Sequence, residues 1–385
     1  MKTVSIERCS NYSRPELRAA LEKAIGRLGG IGKFVRPGQT VLLKPNLLRR
    51  AEPAAAVATH PEFVRAAAVM VQEAGGKALI GDSPGAALPH TRRTLLGLYR
   101  ACGLDRVAEE TGAELMLETG YTIVSCPRGR MVKRLEMIRP ALDADVIINL
   151  PKFKTHVYTR LTGAVKNLFG LVPGLIKPAY HAKLGDLKRF SAMLVDVMEA
   201  ADADLSVVDG IWGMEGDGPG AGARREMGLI VAGESPAAVD VVLSRIMGID
   251  PLSVLTTAEC VERGILKRDL SDVAVVGLNE SEARVEGMAV PDLEDTAVSF
   301  ARFPFWLKPA LPAAKWLLTT RPKVVASSCV GCGDCVRVCP VRVIRLKGGK
   351  ARIAYTRCLR CYCCHETCPR GAIELKKPLF QKIFV

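Results

Sequence analysis

A chain of 385 residues, 49% hydrophobic and 24% charged, is long enough for two or more domains with a sizeable core. The N-terminus MKTVSIERCSNYSRPE has no apolar h-region, and no stretch reaches the roughly 18 uninterrupted apolar residues of a spanning helix, so a cytoplasmic protein is expected. The net charge of +14 is uneven, with 13 Lys+Arg against 3 Asp+Glu in residues 323–385 and 41 against 37 elsewhere. Tyr355 and Tyr362 are that tail's only Tyr or Trp and no recognition motif accompanies its charge, so nucleic acid is not an expected partner.

From residue 1 to about 299, short β-branched runs alternate with longer helical periods, which predicts an α/β domain with a mostly parallel sheet flanked by helices. Strands are expected at 3–6, 40–43, 77–80, 144–148, 205–208, 229–232 and 273–276, and helices at 14–28, 61–74, 184–200 and 236–247. Pro61 suits a first helical position after Thr59 or His60, and Gly75-Gly76 is a natural stop.

Polar clusters follow several of these strands: Lys44-Pro45-Asn46, Gly81-Asp82-Ser83-Pro84-Gly85, Asn149-Leu150-Pro151-Lys152 and Asp209-Gly210. In an open parallel sheet the carboxyl ends of the strands border the ligand crevice, so these clusters are expected to converge on one site. The densest chemistry lies in NLPKFKTHVYTRLTGAVKNLFG, residues 149–170. Lys152, Lys154 and His156 alternate and share a face if extended, while 162–170 reads as a helix bearing Lys166 and Asn167. Lysines without a carboxylate between 151 and 170 point to a phosphate or carboxylate ligand, and free N–H groups near Gly163 would favour the same anion. Their embedding among Phe153, Leu161, Leu168 and Phe169 argues against a solvated basic loop.

Downstream, 209–220 (DGIWGMEGDGPG) reads as a glycine-rich loop carrying Asp209, Glu215 and Asp217, able to wrap a ligand or hold a divalent cation, or else a mobile surface turn. Asp209 is expected to close a strand. Ser235 and Pro236 begin a helix on which Asp240 lies one turn in. His60, His90 and His181 read as isolated packing, capping or surface residues, and Cys9, Cys102, Cys126 and Cys260 as buried thiols. The segments KPN, GDSPG, NLPKFKTH, TGAVKNLFG, DGIWGMEGDGP and SPAAVD together resemble the family catalogued as domain of unknown function 362. Its members often carry a C-terminal two-cluster ferredoxin module. That resemblance implies a redox protein and leaves the substrate open.

Residues 300–322 form a Pro/aromatic connector, in which Pro304, Pro309 and Pro312 forbid one continuous helix. Its Phe303, Phe305, Trp306 and Trp316 are expected to pack the last domain, 323–385, against the first rather than dip into a membrane.

Nine of the thirteen cysteines lie in that last domain. Cys329, Cys332, Cys335 and Cys339 give C-x2-C-x2-C-x3-C-P, and Cys358, Cys361, Cys364 and Cys368 repeat it 29 residues on. In such runs the fourth cysteine serves the other cluster, which assigns Cys329, Cys332, Cys335 and Cys368 to one [4Fe–4S] cluster and Cys358, Cys361, Cys364 and Cys339 to a second. Zinc sites more often pair two separated C-x2-C units. Cys363 reads as a small buried side chain. The region resembles the bacterial two-cluster ferredoxins, a small α+β fold, which implies one-electron transfer at low potential.

The combined expectation is an iron–sulfur oxidoreductase. Lys44, Lys152, Lys154 and Lys166 clamp an anionic small molecule, Asn46, Asn149 and Asn167 orient it, and His156 or Asp209 moves protons. An organic cofactor or divalent metal in the crevice stays open, as does a homo-oligomer. The basic tail balances its clusters or attracts an acidic ferredoxin or flavodoxin. The alternative is a non-catalytic electron carrier or assembly protein whose α/β domain docks a partner.

Overall fold

The computed structural model describes residues 1–85, 88–184, 186–291 and 320–376. Nearly all of the expected connector, with its prolines and aromatic residues, lies outside the described residues.

Among the described residues twelve strands form in the first domain: β1 Lys2–Arg8, β2 Thr40–Pro45, β3 Lys77–Ile80, β4 Glu114–Leu115, β5 Tyr121–Ser125, β6 Arg134–Ile138, β7 Val146–Leu150, β8 Lys152–His156, β9 Arg160–Thr162, β10 Leu205–Glu215, β11 Ala223–Gly233 and β12 Val273–Gly277. All but the β5–β6 hairpin join one ten-stranded sheet in the order β12-β1-β11-β10-β7-β2-β3-β4, with β8 beside β10 and β9 beside β8. Pairing is parallel from β10 through β7, β2, β3 and β4, and antiparallel where β11 meets β1 and β10. The sheet is therefore mixed but mostly parallel. Central strands are apolar on both faces, as Val41, Leu42, Leu43, Val146, Ile147 and Ile148 show by their complete burial, because helices cover both sides.

The helix Arg14–Gly26 buries Leu17, Ala20, Leu21, Ala24 and Ile25, a three-and-four spacing that makes one apolar stripe. Each such leucine or isoleucine withdrawn from water contributes about 1.5–3 kcal/mol. The helix Pro61–Glu73 starts where Pro61 predicts, and His60 caps it by accepting a hydrogen bond from Glu62 N–H at 3.3 Å. In the same way Ser235 caps the helix Pro236–Ile246.

The 209–220 stretch differs from expectation. Asp209 to Glu215 continues β10 rather than forming a loop, because β11 pairs along its length and β8 runs on its other side. Its glycines serve close strand approach: a Cβ on Gly213 would stand 2.4 Å from Met227 Cε and 2.6 Å from Phe153 O. Pro151 interrupts the path between β7 and β8, and its carbonyl accepts from Asp209 N–H at 2.9 Å, so β10 lies along both. The expected 162–170 helix resolves into two short turns, Ala164–Asn167 and a 3₁₀ turn Leu168–Leu171.

The last domain is small and cysteine-rich, with two antiparallel pairs: β13 Arg321–Val324 with β16 Ile373–Lys376, and β14 Ile344–Lys347 with β15 Lys350–Ile353. Short helices Asp334–Val338 and Cys363–Glu366 complete it. It packs on the first domain through Tyr362 against Tyr158 (6.3 Å between centroids) and through His365 Nε2 facing Asp217 O at 3.4 Å. Among the described residues no helix is long and apolar enough to cross a membrane.

Candidate functional site

Parallel pairing of β7, β2 and β3 brings their carboxyl ends to one edge, and there the structure gathers most of the polar residues that follow those strands. A recess with a cavity of about 70 Å³ is lined there by Asn46, Asp82, Ser83, Thr162, Lys166, Asn167, Lys177 and His181. Leu47, Leu48 and Phe169 supply its apolar wall. The far side belongs to the other domain, where Cys363, Glu366 and Thr367 close the recess.

Two of the expected anion clamps are already paired. Lys44 Nζ lies 2.9 Å from Asp82 Oδ1, both buried, and Lys152 Nζ lies 2.7 Å from Asp209 Oδ2. Burial lowers the pKa of each lysine while its aspartate raises it. Asp209 also accepts from Tyr12 OH at 2.7 Å and from His60 N–H at 2.9 Å. Three donors thus hold it away from the recess wall, in the middle of β10 rather than at its end. Lys154 donates to Asn46 Oδ1 at 2.7 Å and to Val57 O at 2.6 Å, and burial pulls its pKa well down.

The asparagines form a chain rather than a ligand cradle. Asn46 Nδ2 donates to Asn167 Oδ1 at 2.9 Å, Asn167 Nδ2 to Asn149 Oδ1 at 2.8 Å, and Asn149 Nδ2 to Ala164 O and Ser206 Oγ. These bonds lock the turn that carries Lys166 against the strand ends. The expected anion at Gly163 turns out to be internal: Asp240 accepts from Ala164 N–H at 2.6 Å and Val165 N–H at 3.2 Å. Its carboxyl is pushed up to about 7 by burial, against the lowering effect of those two bonds. Glu215 stands elsewhere, 3.3 Å from Arg225 and accepting from Ala289 N–H at 3.1 Å, and does not line the recess.

Lys166 is the exception. It lines the recess, and among the described residues it has no hydrogen-bond or ion-pair partner. Burial lowers its pKa, and Glu366 and Cys363 across the recess counter that. Thr162 Oγ1 and His181 Nδ1 on the same side, and Glu366 Oε1 opposite, are buried without a protein hydrogen bond. Glu366 Oε1 faces His156 Nε2 at 3.5 Å. Because Tyr158 N–H donates to His156 Nδ1 at 3.0 Å, and burial holds the ring neutral, Nε2 carries the proton that points at Glu366.

Sequence reasoning missed Lys177, His181 and Glu366. Lys177 donates to Ser83 Oγ and to the carbonyls of Ser83 and Pro84, and burial brings its pKa down to about 7. Lys177 and His181 are four residues apart on the helix Lys177–Leu184, a spacing that puts both on one face and was there to be read.

In the last domain, Cys329, Cys332, Cys335 and Cys368 line one small cavity, the crossed set expected from the spacing. Cys339, Cys358, Cys361 and Cys364 lie within electrostatic reach of one another. Backbone N–H groups of Val343, Ala351 and Ala372 approach Cys339, Cys329 and Cys368 sulfur at 3.2–3.5 Å, the donors that stabilise anionic cluster sulfur. Among the described residues no three His, Cys, Asp or Glu side chains are drawn together as a single ion requires. Cysteines spread round a cavity suit a multi-atom cluster, and the residues present fit two of them.

The chain belongs to the family described as domain of unknown function, DUF362, whose model matches residues 41–245. Residues 321–369 match a 4Fe-4S dicluster domain. The protein therefore carries an electron-transfer domain with two [4Fe–4S] clusters. It is 41% identical over 266 residues, 67% of this chain and 78% of the relative, to a protein of Synechocystis sp. named thylakoid-associated protein. Two solved structures align at a TM-score of 0.34, a level that informs neither fold nor function here. One is the lactate racemase apoprotein of Thermoanaerobacterium thermosaccharolyticum, 14% identical over 54% of this chain and 50% of that one. The other is a Thermotoga maritima protein, 12% identical over 60% of this chain and 57% of that one.

Proposed function

We propose that this protein is an iron–sulfur oxidoreductase that exchanges electrons with a small anionic molecule held in the recess between its two domains. The observation that carries the reading is one shared recess: unpaired Lys166 faces Glu366, which lies on the turn between cluster cysteines Cys364 and Cys368. Bound clusters supply one-electron transfer. The chain's own residues do the rest.

Lys166 pairs with the anion. Thr162 Oγ1 and His181 Nδ1, both without protein partners, hydrogen-bond the ligand's polar groups, and Phe169, Leu47 and Leu48 exclude water from its apolar part. Lys44 and Lys152 keep charged partners in place behind the wall rather than touching the ligand. His156 reaches the recess only through Glu366, so proton exchange with the ligand falls to Glu366 with His156 behind it, and Asp209 has no part in it. A half-open, partly apolar recess with a few unpartnered polar atoms favours an enzyme over a docking module, whose contact face would be flat.

A reducing compartment keeps the ligand thiols free. The thylakoid association in the Synechocystis relative's name is compatible with this as a peripheral contact.

The test uses full-length protein purified without oxygen, since an isolated first domain would lack the Glu366 wall. Small-molecule mass spectrometry of denatured protein should release a carboxylate or phosphate compound that Lys166→Met protein does not retain, with cluster content equal in both. Equal retention, or no compound and no binding from a panel of small acids, replaces the enzyme by the electron carrier.

A further inference from the structure

The two cluster positions do not face the same surroundings. Cys332 alone among the eight expected ligands is exposed. It sits beside Val330 and Leu346, which are 59% and 46% exposed and together make an apolar pair. Leu346 and Arg370 line the cavity of Cys329, Cys332, Cys335 and Cys368 directly. Arg370 on that edge is exposed, exposed Arg345 and Lys347 flank Leu346 along β14, and Arg337 lies close to Leu346 at Gly333.

Little negative charge offsets this rim. Of the domain's three acids, Asp334 is paired with Arg337, Glu366 is buried at the recess, and only Glu374 is exposed. Charge balance with clusters explains a net positive domain but not an apolar pair placed at one cluster's open edge. At the other position no cysteine is exposed, Leu359 beside Cys358 is a single exposed apolar side chain at 42%, and the helix Cys363–Glu366 that bears Cys364 lines the recess.

We infer that the two positions are ordered, with the Cys329/Cys332/Cys335/Cys368 edge as the docking face for an acidic one-electron carrier protein and the Cys339/Cys358/Cys361/Cys364 position serving the recess. Val330 and Leu346 form the dry centre of the contact and the arginines and lysine its steering rim. A reduced carrier gives up one electron per encounter, and no bond forms or breaks. A second copy of this chain is disfavoured as occupant because its own face is equally basic.

The experiment measures the affinity of the full-length, cluster-loaded protein for an acidic [2Fe–2S] ferredoxin, and the rate of electron transfer between them, at low and high salt. Arg345→Glu/Arg370→Glu should weaken affinity and slow transfer about tenfold or more at low salt, with the gap closing near 0.5 M salt. Leu346→Ser should weaken binding at both salts. Arg357→Glu, an exposed charge near Cys358, should stay within twofold of the parent, and all variants should keep both clusters. Salt-independent affinity, equal damage from Arg357→Glu, or tighter binding to a basic carrier than to the acidic one overturns the assignment.

Discussion

Asp240 holds the turn that presents Lys166, and replacing it by Ala separates two opposing effects by pH. The substitution strands the N–H groups of Ala164 and Val165 in a buried setting, a loss of about 1–3 kcal/mol each. Against this, burial raises the carboxyl from 3.8 to about 7, so ionising it in the folded state costs about 4 kcal/mol. The folded protein binds the proton more tightly than the unfolded chain. Its stability from this group is therefore complete below about pH 4 and declines as pH rises to 7, whereas the Ala variant has no such decline. The variant should be clearly less stable than the parent at pH 5, and the gap should shrink by about 2–3 kcal/mol by pH 8. Urea unfolding followed by circular dichroism at the two pH values reads this directly. A gap that stays constant, or widens with pH, refutes the assignment of a protonated, doubly hydrogen-bonded Asp240.

Other outcomes follow from the same geometry. Lys152→Met alone leaves Asp209 buried and unpaired and should destabilise by about 3–5 kcal/mol, while Lys152→Met with Asp209→Leu should lose much less than the sum of the single changes, as a double-mutant cycle would show. Gly170→Ala would put a Cβ 2.1 Å from Asp82 Oδ1 and 2.5 Å from Lys44 Nζ, so it should lower the melting temperature and disturb the recess; an unchanged melting temperature would mean that this pair moves freely. Anaerobic protein should hold about eight irons, Cys335→Ala about four, and Cys363→Ala all eight, by iron analysis. Zinc in their place would contradict the cluster reading.

The strands were legible where β-branched runs met burial: 40–43 and 77–80 became β2 and β3, and the alternating Lys152, Lys154 and His156 became β8. The helices Arg92–Ala101 and Leu104–Thr111 were not anticipated, since Gly97 and three arginines interrupt the first and the second is only eight residues long. DGIWGME was misread because glycine marks both turns and tight strand contacts, and only the neighbours Phe153 and Met227 distinguish the two. The lysines' burial followed from their apolar neighbours, but not which carboxylate each would find. Asp82 and Asp209 lie 38 and 57 residues from their partners, a relation set by sheet order. Glu366 is some 200 residues from Lys166, and nothing in the tail's sequence announces that its second turn would close a recess in the first domain.

The measurement that bears most directly on the central claim is the electron paramagnetic resonance of the reduced protein with and without the small acid it retains. If the recess is the site, the ligand should alter the spectrum of the cluster held by Cys339, Cys358, Cys361 and Cys364, leave that of the other unchanged, and have no effect in Lys166→Met protein. A ligand that binds without touching either spectrum, or that perturbs both clusters equally in parent and variant, would contradict it.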